Sequence, residues 1–214
     1  MPEGWSFSES GANANASYTA GTGISNAGDT YSFGALGSSE RALGGLQSGS
    51  LIPIIGVMFQ NGSLTAINTL EISYIGEQWR LGAIGRQDRL DLQYSLDATS
   101  LTTGTWLDLD ALDFLAPNTG GTLGALDGNA LANRTAITST ISGLSIGSDA
   151  GFWLRWTDLN ATGADDGLAI DDFSITARGS TTQSSVPDGG STAILLAIPL
   201  FGLWTLRRLN MLPA

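Results

Sequence analysis

In Gly167-Leu-Ala-Ile-Asp-Asp-Phe-Ser-Ile175 the apolar side chains change parity halfway along. Leu168 and Ile170 are even-numbered; Phe173 and Ile175 are odd. Side chains of a strand alternate between its two faces, so a regular strand cannot bury both pairs on one side. One extra residue at Asp171-Asp172 restores the register, which predicts a β-bulge there. The alternative is a strand buried on both faces.

The same alternation marks other strands. Apolar residues fall at 70, 72 and 74 in Leu70-Glu-Ile-Ser-Tyr74, and at 90, 92 and 94 in Leu90-Asp-Leu-Gln-Tyr94. In Phe152-Trp-Leu-Arg-Trp156 they include 152, 154 and 156, with Trp153 and Arg155 opposite. Each reads as a strand with one face in a core and one at solvent. Leu51 to Phe59 is more continuously apolar, as a central strand would be. Ala136 to Leu144 reads as a further strand, and Asn61-Gly62, Asp127-Gly128 and Ala27-Gly28-Asp29 are turn signals. Helical periodicity is missing before the C-terminal segment. The expected fold of residues 1–178 is an all-β, antiparallel, jelly-roll-like β-sandwich.

Composition narrows the chemistry. The 214 residues suit one domain plus an appendage. There is no Cys, His or Lys, and all nine basic residues are Arg. Zinc sites with Cys or His ligands, Ser-His and Cys-His nucleophiles and Schiff-base lysines are therefore excluded. The net charge of −11 repels phosphate backbones, so nucleic acid is not expected as a partner. It suits solubility outside cells and divalent cations.

After a polar linker, residues 179–185, the 16 residues Ser191 to Leu206 carry no charge and are followed by Arg207 and Arg208. As a helix they would span about 24 Å, short of a bilayer core of about 30 Å but workable with local thinning. Trp204 sits beside the Arg pair, where an interfacial aromatic belongs. A transmembrane helix at 191–206 would place Arg207 and Arg208 in the cytoplasm and the body outside. The alternative is a core helix or strand of the body, but the run has no polar face and the linker separates it.

Val186-Pro187-Asp188-Gly189-Gly190, followed by the apolar run and Arg-Arg, resembles the sorting signals read by exosortases. The VPDSG variant of the PEP-CTERM class is the nearest pattern, with Gly189 where Ser is usual. The resemblance covers residues 186–208. It implies membrane insertion, recognition of Val186–Gly190 by an exosortase, removal of the tail, and release to the surface or matrix of a Gram-negative-type bacterium making exopolysaccharide. Such proteins enter through an N-terminal signal peptide, whereas this sequence begins Met1-Pro-Glu-Gly-Trp-Ser-Phe; either the true start is expected upstream or the sequence is a fragment.

The phrase Gly167 to Ile175 resembles the last strand of extracellular jelly-roll domains of the galactose-binding-like, MAM-like and laminin-G-like kinds. Gly4-Trp-Ser-Phe7 and Gly76-Glu-Gln-Trp-Arg80 look like phrases of modules found in PEP-CTERM proteins and beside secreted nucleases. These resemblances imply a fold, not an activity.

Two sets of residues could form sites. Asp158, Asn160, Asp165, Asp166 and Asp171 offer the several oxygens that Ca²⁺ takes, and Gly163 permits a tight loop. The alternative makes Asp158 and Asn160 turn formers, Asp165-Asp166 a solvated loop tip, and Asp171 or Asp172 a cap on the bulge. Trp79, Arg80 and Trp153 could meet a sugar, aromatic faces against C–H surfaces and polar groups against hydroxyls. The alternative makes Trp79 a core or rim residue and pairs the Arg side chains with Glu77, Asp88 and Asp91. The expected function is non-catalytic, binding or structural, in an exopolysaccharide matrix. The alternatives are a carbohydrate-binding module and an accessory domain of a larger secreted enzyme.

Overall fold

Alternating side chains from two sheets meet between them, and this contact sets the architecture. The protein is seen in a computed structural model that describes residue 1 and residues 3–179. The expected linker beyond Gly179, the sorting motif Val186–Gly190, the apolar run 191–206 and Arg207 and Arg208 lie outside the described residues.

Strands are numbered along the chain. The first sheet runs β1 (Trp5–Ser10), β5 (Ile52–Gln60), β12 (Gly151–Asp158), β7 (Arg89–Ser95), β8 (Leu107–Asp108), with β9 (Phe114–Leu115) also paired to β7. The second runs β10 (Gly124–Ala125), β6 (Ile67–Leu81), β13 (Gly167–Gly179), β4 (Ala42–Leu46), β3 (Asp29–Phe33), β2 (Thr19–Gly21), with β11 (Arg134–Ile146) also on β6. The chain crosses between sheets at each step from β4 to β7 and again from β11 to β13. This is an all-β sandwich with jelly-roll-like alternation. One edge departs from the expected antiparallel pattern: β2 pairs β3 in parallel. Among the described residues no helix is long and apolar enough to cross a membrane.

The main core joins Ile55, Val57, Leu90, Leu92, Leu154 and Trp156 of the first sheet to Leu70, Ile72, Tyr74, Leu168 and Ile170 of the second. A smaller core lies on the other side of the second sheet, where Trp79 stacks on Phe33 at 6.0 Å beside Tyr31, Leu46 and Ala169. The C-terminal half of β6 is therefore buried on both faces. Gly76 is required there, because a Cβ would lie 2.1 Å from the Phe114 ring.

The bulge is where the change of parity predicts it. Asp171 pairs with Ile75 and Ser174 with Ser73, so three steps on β13 match two on β6. Asp172 takes up the extra residue at φ 50°, a left-handed conformation that Asp tolerates better than most. Phe173 then reaches the same core as Ile170, edge-on to Trp5 at 5.5 Å and to Trp156 at 5.7 Å. Two-faced burial also holds, but only upstream of the bulge, where Ala169 fills the small core.

Deletion of Asp172 turns Phe173 and Ile175 toward solvent. The expected loss is about 2–4 kcal/mol, for two large side chains that are only partly buried. Urea unfolding measures it, and an unchanged midpoint means the register does not need the extra residue.

Candidate functional site

Two connections cross the same end of the sandwich: residues 82–88 from β6 to β7, and residues 159–166 from β12 to β13. The inward parity of each strand carries on into them. Asp88 precedes Leu90 and Leu92, Asp158 follows Leu154 and Trp156, and Asp166 precedes Leu168 and Ile170. All three carboxylates are buried.

Asp88 and Asp166 are fully engaged. Asp88 accepts the Asp166 N–H at 2.8 Å and the Arg89 N–H at 2.9 Å. Asp166 accepts the Gly82 N–H and the Gln78 side-chain amide, both at 2.7 Å. Arg86 pairs with Asp88 at 3.0 Å and Asp166 at 3.4 Å, and also donates to the carbonyls of Thr162 and Ala164. Gly82 admits this crossing, since a Cβ would sit 2.1 Å from the Asp165 carbonyl oxygen.

Asp158 and Asp165 lie in the same cluster with fewer partners. Asp158 Oδ2 accepts the Gln47 N–H at 3.3 Å, and Asp165 Oδ1 accepts the Ala161 N–H at 3.0 Å. Burial pushes the Asp158 carboxyl well above the usual carboxylate range, and the charges of Asp88, Asp165 and Asp166 add to the shift. Burial and the Asp88 charge raise Asp165 to about 6. A cleft of about 260 Å³ opens here, its lining including Asn26, Leu46, Gln47, Arg80, Asn160 and Asp165.

Closeness in sequence misplaces one residue. Asp171 is not part of this cluster; it lies beyond the small-core residue Ala169 on the opposite face of β13, with Glu40 and Glu77, their carboxylate oxygens within 4.8 Å of one another. There burial raises Glu77 to about 7, partly offset by the Trp79 N–H bond, while Asp171 and Glu40 raise it further. Burial likewise raises Asp171 to about 6.

The aromatic set separates. Trp79 is 2% exposed, donates to Glu77 at 2.8 Å, and lies between Phe33 and Gly128, so it has no face for a ligand. Arg80 donates to the carbonyls of Gly23 and Ile24 at 3.0 and 3.1 Å and lines the cleft. Arg86 and Arg89 pair with Asp88 and Asp91, as one reading of the sequence expects, whereas Glu77 binds Trp79. Trp153 stands half-buried on the outer face of the first sheet, opposite Met58 and Ser95. Beside it the Arg155 guanidinium covers Trp106 at 3.9 Å, so that ring is already occupied. Sequence reasoning missed Gln47 and Gln78 altogether; their parity with Leu43 and Tyr74 was the available signal.

Residues 185–209 match the VPDSG-CTERM motif, so the chain carries that sorting signal. No curated protein matches the sequence. Among solved structures, TmCBM61 in complex with β-1,4-galactotriose is similar at 10% identity and TM-score 0.40, covering 82% of this chain and 90% of that one. A CBM4 structure is similar at 13% identity and TM-score 0.37, covering 83% and 96%. The enzymatically active domain of tailspike protein 4 of bacteriophage CBA120 is similar at 7% identity and TM-score 0.39, covering 82% of this chain and 20% of that one.

The raised carboxyls set a pH dependence. A carboxyl that binds protons more tightly when folded contributes stability below its unfolded value near 4, and that stability is lost as pH rises through its folded value. For Glu77 and Asp171 the window is pH 4 to 7. In EDTA the melting midpoint is therefore expected to fall between pH 5 and pH 8, and Glu77→Gln to flatten the fall. A scan that is flat in the parent protein contradicts this.

Proposed function

We propose that the protein is an exosortase substrate whose β-sandwich body works outside the cell by binding or as a structural component, without catalysis. The observation that carries the reading is the sorting motif at residues 185–209, at the C-terminal end of a chain whose body precedes it. The apolar run 191–206 and Arg207-Arg208 supply a membrane handle and its stop. An acidic body with no Cys, His or Lys suits a binding or structural role in an exopolysaccharide matrix. The chain should be expressed behind a signal peptide in hosts with and without an exosortase. The expected result is a mature protein ending at or before Gly190 only in the host with the enzyme, and an uncut membrane form for Asp188→Ala. Identical full-length masses in both hosts contradict it.

The outer face of the first sheet favours a second reading, polysaccharide binding. Trp153 there is half-buried, with Gln60, Gln93 and Ser95 on the neighbouring strands. Retention on a polysaccharide column is then expected, with Trp153→Ala weakening it about tenfold. Equal retention of the variant excludes that face.

A further inference from the structure

We infer that Asp158, Gln47 and Asp165 bind a hard divalent cation, Ca²⁺, at the end of the sandwich. Asp158 ends β12 and points inward from the first sheet. Gln47 follows β4 with the parity of Leu43, which packs on the main core, and so points inward from the second. The two are 9% and 3% exposed, and neither Asp158 Oδ1 nor Gln47 Oε1 has a hydrogen-bond donor. The Gln47 N–H on Asp158 Oδ2 brings the two residues together. Buried acceptors without donors are costly, and a buried charge more so. What both oxygens lack is a positive partner.

The surrounding charge does not supply it. Among the described residues, Asp88, Asp158, Asp165 and Asp166 receive ion pairs from Arg86 alone, and these go to Asp88 and Asp166. Arg80, which lines the cleft, gives hydrogen bonds to the Gly23 and Ile24 carbonyls. Carboxylate and amide oxygens are ligands for hard cations, and Ca²⁺ accepts their irregular geometry where Mg²⁺ demands an octahedron. The cleft beside Gln47, Asn160 and Asp165 admits the ion and its remaining water ligands. Cation binding here is independent of how the tail is processed.

The test is calorimetric titration of the full chain, stripped with EDTA, with CaCl₂ and then MgCl₂ at pH 7.5, paired with thermal unfolding. Saturable binding of about one Ca²⁺, stronger than Mg²⁺, is expected, with a midpoint about 5 °C higher at millimolar Ca²⁺. Asp158→Asn should abolish the rise without lowering the EDTA midpoint, because it removes a buried charge. Asp165→Asn, at the cleft wall, should weaken binding at least tenfold and keeps the test open if the first variant misfolds. No heat at millimolar Ca²⁺ overturns the assignment. So does binding that survives Asp158→Asn but is lost in Glu77→Gln, which would move the ion to the Glu40, Glu77 and Asp171 cluster.

Discussion

Arg86, held between the buried carboxylates of Asp88 and Asp166, ties the two crossing connections of the sandwich together. Burying charge is unfavourable unless it is paired and hydrogen-bonded, and this group nearly completes both. Asp88 receives the Asp166 N–H, Asp166 receives Gly82 and Gln78, and Arg86 reaches the carbonyls of Thr162 and Ala164. The sheets are thus pinned at one end by directional polar contacts. With no Cys in the sequence, this pin does part of what a disulfide does in domains that carry one.

From that end the core follows by alternation. The same parity that turns Asp88, Asp158 and Asp166 inward carries Leu90, Trp156 and Leu168 into the main core. The parity would fail along β13 without the extra residue at Asp172, which returns Phe173 to Trp5 and Trp156. Inward parity at a strand end gives polar side chains little water, so each needs a partner, and Asp158 and Gln47 lack one on one oxygen each.

The sequence was most legible where a signal is local. The alternation in β6, β7 and β12 and the change of parity in β13 depend on neighbours two residues apart, and so do not need tertiary context. The sorting motif is local in the same sense. Trp79 was ambiguous because its burial depends on Phe33 and on Gly128, far away along the chain. Asp171 lies close to the loop acids in sequence, but its parity sends it to Glu40 and Glu77. β2 to β4 gave little signal, since Gly44 and Gly45 replace apolar residues where Ala169 and Pro53 approach closely.

The central claim is that Arg86 secures the sandwich by neutralising charge that water cannot reach. Urea unfolding of Arg86→Met tests it most directly, since Met keeps much of the side-chain volume and removes the charge. The account predicts a loss of about 3–5 kcal/mol, the cost of leaving buried carboxylates without their cation. A change within about 0.5 kcal/mol of the parent, typical of an ordinary surface substitution, would contradict it.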